Sequence, residues 1–583
     1  MKNKPNLSTL LFLLIAVLLL AACSSSEKVT NDSTTSNPIA VEESSSNEES
    51  DDSPSQSITS NPQTVEVTRV VTETVIEEGG TIVVEAEEAL DSEEYAEPSV
   101  VEEVQGAPAP LATAPAVSNE SIAPAPTATR PSASVPPAVF FEEYGVNPYI
   151  LTSVDNLSTF SLDVDTGSYS IARRYLQDGL MPPPAAIRVE EFVNSFDQGY
   201  EIPPNTDFAI YADGAPSPFH TDGTYFLRIG VQGYESSEEI RPSAALTFVI
   251  DVSGSMAQDN RLGLVKQSLE ILVNRMRADD TIAIVVYGSD ARVVLHPTNG
   301  SDRNTILNAI YSLETEGSTN LEAGLLLGYE MANRAYKGSG INRVILASDG
   351  VANVGSTSAD GIAAQIRVYA DAGIQLTTIG FGLGNYNDVM MEQLANQGDG
   401  NYGYIDTLKE AEDLFVDNIM STLQVIGLDA KIQVEFDRNV VQQYRLIGYE
   451  NRAIADEDFR NDTIDAAEFG AGHTAAAIYA VQLVPGAQGR IATVNLRWQD
   501  PDSRVVKEIN GVFTTDSLVS SFDTAPLHYQ LAITVSQYAE LLRDSYWADS
   551  VSMNDLRIRA ERLASQMNDE EVWELANLIS ISQ

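Results

Sequence analysis

Leu246-Thr247-Phe248-Val249-Ile250-Asp251-Val252-Ser253-Gly254-Ser255-Met256 decides the fold. A short run of apolar and β-branched residues enters a loop that holds one carboxylate and two hydroxyls at alternate positions. Leu262, Val265, Leu269, Leu272, Val273 and Met276 then recur at spacings of three and four, which places them on one face of a helix. Further on, strand-like runs at Thr281–Tyr287, Arg343–Ala347 and Gln375–Ile379 alternate with helix candidates at Leu321–Tyr336, Ala359–Ala372 and Asp388–Ala395. Continuous apolar strands separated by helices predict an α/β domain with a doubly wound, mostly parallel sheet covered on both faces. Ligands of such sheets bind beyond the carboxyl ends of the strands, where the strand order reverses.

Three polar segments fall at those ends. Asp251, Ser253 and Ser255 share the first loop. Glu316-Gly317-Ser318-Thr319-Asn320-Leu321 puts Thr319 just before a helix, and Leu346-Ala347-Ser348-Asp349-Gly350 puts Asp349 at the end of another strand. Hard oxygen donors of low total charge suit Mg²⁺ or Mn²⁺, which favour octahedral oxygen and retain water. Any one segment is a weak signal, since Ser and Asp commonly cap helices; the three together are a strong one.

Together they resemble a von Willebrand factor type A domain, Rossmann-like in topology, over about 243–424, with a complete metal-ion-dependent adhesion site. The resemblance implies one Mg²⁺ (or Mn²⁺) ion held by Asp251, Ser253, Ser255, Thr319 and Asp349. It implies that the hydroxyls bind the ion directly and the aspartates bind it directly or through water. One position is then left for a carboxylate supplied by a protein partner. In some relatives ligand binding shifts the last helix, here about Leu408–Leu423. The flanks extend the likeness to roughly 147–583. Leu157-Ser158-Thr159-Phe160-Ser161-Leu162-Asp163-Val164-Asp165-Thr166-Gly167-Ser168-Tyr169, Arg188-Val189-Glu190-Glu191-Phe192, Tyr444-Arg445-Leu446-Ile447-Gly448-Tyr449 and Gly470-Ala471-Gly472-His473-Thr474 resemble a bacterial lipoprotein family built around such a domain.

The N-terminus agrees with a lipoprotein. Lys2 and Lys4 precede an apolar run from Leu10 to Leu20, and Leu20-Ala21-Ala22-Cys23 resembles a lipobox with cleavage before Cys23 and acylation of its thiol. Residues 1–23 therefore read as a signal peptide, and the mature chain as lipid-anchored to a membrane, facing outside the cytoplasm. Residues 24–140 hold 22 Asp+Glu against 3 Lys+Arg, and eight prolines fall between Ala107 and Pro137. High charge, low hydrophobicity and proline predict a disordered stalk that lifts the folded part off the membrane.

The remainder divides at 141–242 (helices, then strands), 243–424 (the α/β domain), 425–525 (strands) and 526–583 (helices). Strands at Phe208–Tyr211 and Tyr225–Val231, and at Ala430–Phe436, Ala475–Leu483, Arg490–Trp498 and Lys507–Phe513, are expected to pair into one β-sandwich. The α/β domain would be inserted in it through joints near Glu235–Pro242 and Leu423–Leu428.

Composition removes whole classes of function. The chain has 583 residues, 34 Lys+Arg against 84 Asp+Glu, a net charge of −50, one cysteine and four histidines. Nucleic-acid binding needs clustered cations, and a disulfide framework or cysteine zinc site needs more than one thiol. Asp165-Thr166-Gly167-Ser168 matches an aspartic-protease motif, but no second copy supplies the paired carboxylate. The run from Asp456 to Asp465 approximates a calcium loop, yet lacks the glycine at position six and puts Arg460 at a ligand position. A hydrolase is the remote alternative: G-x-S-x-G is absent and no His or Lys neighbours Ser253 or Ser255 in sequence. The sequence thus reads as a non-enzymatic binding protein. Its partner is either a ligand at the outer surface or a neighbouring envelope protein, which would make the chain an assembly or scaffold factor.

Overall fold

The computed structural model describes residues 42–43 and 141–583, apart from 163, 236–240, 351–358, 383–387 and 418–422. Cys23, the lipobox, the stalk other than Glu42–Glu43, and residues 236–240 of the first insertion joint lie outside the described residues. Along the chain come β1 (Glu42–Glu43), β2 (Ile150–Leu151), β3 (Leu157–Ser161), α1 (Gly167–Gln177), α2 (Val189–Asn194), β4 (Phe208–Pro216) and β5 (Thr224–Gly233). The central domain opens with β6 (Ala244–Asp251), α3 (Arg261–Arg275), β7 (Thr281–Tyr287), β8 (Ala291–Asn299), α4 (Arg303–Tyr311) and α5 (Leu321–Ala335). It continues through β9 (Ile341–Ser348), α6 (Ala359–Asp371), β10 (Gln375–Phe381), α7 (Asp388–Gln397), β11 (Tyr402–Ile405) and α8 (Leu408–Glu412). Then follow β12 (Val425–Phe436), β13 (Val441–Ile447), β14 (Ala467–Gly470), β15 (Thr474–Leu483), β16 (Arg490–Gln499) and β17 (Val506–Thr514). Three helices close the chain: α9 (Leu527–Leu542), α10 (Met553–Met567) and α11 (Glu570–Ile581).

The central sheet has the order β11-β10-β9-β6-β7-β8, parallel except for β8. Every residue of β6 is buried, because alternate side chains meet opposite helical layers. Phe248 and Ile250 pack with Leu262, Val265 and Leu269 of α3, whereas Val249 packs with Leu325 and Tyr329 of α5. After β6 the chain moves to β7 on one side, and later returns to β9 on the other. The order therefore reverses at β6 and β9, whose carboxyl ends carry Asp251 and Asp349. Within the central domain, β8, α4 and β11 are the elements that local pattern does not predict. β8 is a half-exposed edge containing Pro297, α4 has nine residues and β11 only four, so none carries a long periodic signal.

Strands from both sides of the central domain share the sandwich. β5 pairs with β15 in the sheet β2-β13-β15-β5-β4. The facing sheet runs β1-β17-β16-β12-β14, with β3 also on β12. One correction concerns 141–242, where strands come first. β3 precedes α1 because Leu157–Ser161 pairs with Lys431–Glu435, a partner that local pattern does not reveal. β15 is buried on both sides: Ala475, Ala477, Tyr479 and Val481 face the sandwich core, while Ala476, Ile478 and Ala480 meet α9 and its neighbours. α9 is consequently buried almost all round.

Of the expected last helix, Leu408–Leu423, residues 418–422 lie outside the described residues. Regular α-helix covers Leu408–Glu412 and a π-helical turn follows at Asp413–Asp417. Arg173 of α1 clamps this start, donating to Asp406 and Glu410, each at 2.5 Å.

Asp165-Thr166-Gly167-Ser168 turns out to be a joint. Asp165 accepts from the Tyr402 backbone N–H (3.2 Å) and pairs with Arg452 (3.2 Å). A Cβ on Gly167 would stand 2.5 Å from the Tyr402 ring, itself buried. Gly167→Ala is therefore expected to lower unfolding stability by about 1–3 kcal/mol through overpacking; thermal unfolding of the full chain would measure it.

Candidate metal centre

The first loop is shaped by its own aspartate. Asp251 Oδ1 accepts from the Ser253 N–H at 2.8 Å, turning the chain so that the Ser253 and Ser255 hydroxyls lie 3.0 Å apart. Met256, fully buried, anchors the far side. Asp259 and Asn260 adopt successive positive φ values before α3 begins.

Backbone hydrogen bonds bring the second loop alongside. Glu316 N–H reaches Val252 O at 2.5 Å and Gly254 N–H reaches Gly317 O at 3.3 Å. Thr319 is buried immediately before Asn320, whose side chain caps α5 by accepting from Ala323 N–H (3.1 Å). From the third segment, the Ser348 hydroxyl donates to Asp251 Oδ2 at 3.0 Å. Asp349 Oδ2 accepts from Arg261 Nη1 at 2.6 Å, whereas the buried Asp349 Oδ1 has no hydrogen-bond partner among the described residues. All five residues expected from sequence thus stand on three loops at one end of the sheet. Two further residues contact these carboxylates. Ser348 was legible beside Asp349 as a hydroxyl in the same turn; Arg261, 88 positions from Asp349, carries no local signal.

Electrostatics mark the centre as short of positive charge. Burial, followed by the neighbouring charge of Asp349, pushes the Asp251 carboxyl up to about 6, despite opposing hydrogen bonds from Ser253 and Ser348. Burial and the Asp251 charge raise the Tyr287 phenol well above its usual value. Among the described residues no three His, Cys, Asp or Glu side chains converge as a metal site. An ion held here would therefore rest on two carboxylates and three hydroxyls. The orphaned Asp349 oxygen and the strained Asp251 charge fit a small, hard divalent cation.

The calcium-like run does not gather into a loop of free ligands. Asp462 pairs with Arg497 (2.7 Å), Asp465 with Arg367 (2.9 Å), and Arg460 with Glu508 (2.6 Å).

Comparison with known proteins gives three regional matches. Residues 138–227 match the family model "von Willebrand factor", 245–417 match "von Willebrand factor type A domain", and 421–490 match "Uncharacterized protein YfbK, C-terminal". The uncharacterized protein YfbK of Escherichia coli (strain K12) is 39% identical over 380 residues, covering 64% of this chain and 65% of YfbK. Inter-alpha-trypsin inhibitor heavy chain H3 of Homo sapiens is 30% identical over 179 residues, 29% of this chain and 19% of that protein. The chain thus spans just under two thirds of YfbK and a fifth of the human protein. A solved von Willebrand factor type A structure from Catenulispora acidiphila aligns with a TM-score of 0.38 and 16% identity, covering 64% of this chain and 89% of that one. Residues 245–417 match a von Willebrand factor type A domain, and over 380 residues the chain is similar to the bacterial protein YfbK.

Proposed function

We propose that this chain is a membrane-tethered, extracytoplasmic binding protein that uses one Mg²⁺ or Mn²⁺ ion to hold a carboxylate of a protein partner. The observation that carries this reading is Asp349 Oδ1, a buried carboxylate oxygen without a hydrogen-bond partner among the described residues, at the same end of the sheet as Asp251, Ser253, Ser255 and Thr319. With few anionic ligands from the protein, the ion would stay electrophilic and recruit an anion from outside. Acylation at Cys23 would supply the tether, and among the described residues no helix is long and apolar enough to cross a membrane. The role is binding rather than catalysis. Ser253 and Ser255 hydrogen-bond each other, an arrangement that supports metal ligation by the hydroxyls over their use as nucleophiles.

The test is capture. The full chain and Asp251→Ala would serve as baits on envelope and extracellular extracts, in Mg²⁺ and in EDTA. A protein held only by the wild type and only with Mg²⁺ is the expected result. Identical captures in all four conditions would overturn the reading, as would esterase, protease or phosphatase activity that disappears in Asp251→Ala.

A further inference from the structure

Arg261 opens α3, ten residues beyond Asp251, and its side chain is only 3% exposed. It is held in place by tight packing as well as charge, because a Cβ on Gly382 (φ +79°) would fall 2.5 Å from Nε. Nη1 donates to one oxygen of Asp349, and the other oxygen of that carboxylate has no hydrogen-bond partner among the described residues. The same aspartate is thus divided between a resident cation and the place where a metal would sit.

Charge counting gives the consequence. Among the described residues, Asp251 and Asp349 contribute two negative charges and Arg261 one positive. Asp259 lies 3.8 Å from Arg261 Nη2, but its side chain is 65% exposed, so water and salt screen it. A divalent ion would leave this buried cluster with one excess positive charge, which is unfavourable away from water. A carboxylate arriving from outside restores neutrality.

We propose that Arg261 is a built-in counter-cation that weakens binding of the bare metal ion and couples metal binding to arrival of an acidic ligand. The inference rests on the metal-adhesion reading and adds how that site is regulated. Such coupling is reciprocal: the ligand tightens the metal by the factor by which the metal tightens the ligand. A partner is therefore gripped where it presents a carboxylate, and the free protein holds its ion loosely.

Mn²⁺ binding to the full chain, followed by the electron paramagnetic resonance signal of the free ion, tests this in chloride and in acetate at equal ionic strength. Acetate is expected to tighten Mn²⁺ on the wild type. Arg261→Gln is expected to bind Mn²⁺ on the order of tenfold more tightly in chloride, with the acetate effect lost, because a like charge near the ion has been removed. Arg261→Lys keeps the charge and should keep the acetate effect. This guards against a glutamine variant that fails to fold. Wild-type binding with an Arg261→Gln variant unchanged in both buffers, or loss of the acetate effect in a folded Arg261→Lys, overturns the coupling while leaving the metal site intact. No Mn²⁺ binding by the wild type would overturn the metal reading and the coupling with it.

Discussion

Asp251→Asn is expected to make the metal-free protein more stable at neutral pH and to abolish stabilisation by Mg²⁺. Asp251 is fully buried, and its carboxyl is pushed up to about 6 by burial and by Asp349. A raised carboxyl means that the folded state holds the proton more tightly than the unfolded chain does. Its contribution is therefore fully present below about pH 4 and is lost as pH rises through about 6. Near pH 7 the metal-free fold carries a buried charge costing about 1–3 kcal/mol, from roughly two pH units at about 1.4 kcal/mol each. Asparagine removes that charge, still accepts from the Ser253 N–H, and can donate to the Ser348 hydroxyl. In the wild type, a ligand at about a hundredfold its dissociation constant adds about 2.7 kcal/mol, a gain the variant forfeits. Thermal unfolding of both proteins at pH 5 and 7, in EDTA and in Mg²⁺, checks this. Equal Mg²⁺ stabilisation of wild type and variant would show that Asp251 does not hold the ion.

Glu540→Ala should be the more damaging change, by about 3–5 kcal/mol, because it strips the anion from a buried network. Glu540 lies on α9 with no exposed surface. It accepts from Arg445 Nη2 (2.9 Å), Arg543 Nε (3.0 Å) and the Ser545 hydroxyl (3.0 Å). Arg543 continues to Glu450 at 2.9 Å, so the network joins α9 to the sandwich. Among the described residues Nε and Nη1 of Arg445 have no hydrogen-bond partners, and its guanidinium, which also lies 5.4 Å from the Trp547 ring centroid, has Glu540 as its ion-pair partner. Burial alone would raise the Glu540 carboxyl; the charges of Arg445 and Arg543 outweigh it and hold it below the usual value. A depressed carboxyl contributes stability that is present above its unfolded value and is lost as pH falls through the folded one. The gap between wild type and variant should accordingly narrow in acid. Urea unfolding at pH 7 and at lower pH measures both effects. A loss below about 1 kcal/mol at pH 7 would contradict the expectation of an uncompensated buried charge.

Sequence alone determined what is encoded within a dozen or so neighbouring residues. β6 shows as an unbroken apolar run because both its faces are covered. α3 shows through one apolar stripe, and the loop between them displays its carboxylate and hydroxyls in chain order. Thr319 and Asp349 were legible for the same reason, each standing at the end of its own periodic element. The sandwich strands β4, β5, β15, β16 and β17 also announced themselves by local pattern.

Tertiary structure alone decided which distant groups meet. The five-residue β3 exists because β12, some 270 positions away, offers it a ladder. The D-T-G-S motif became a joint only when Tyr402 closed against Gly167. Arg261 joined the centre because the sheet sets β6 beside β9, so that the helix following one strand faces the aspartate that ends the other. Periodicity reports which side of an element is buried. The identity of the group pressed against it depends on strand order and long-range pairing, which no local window contains.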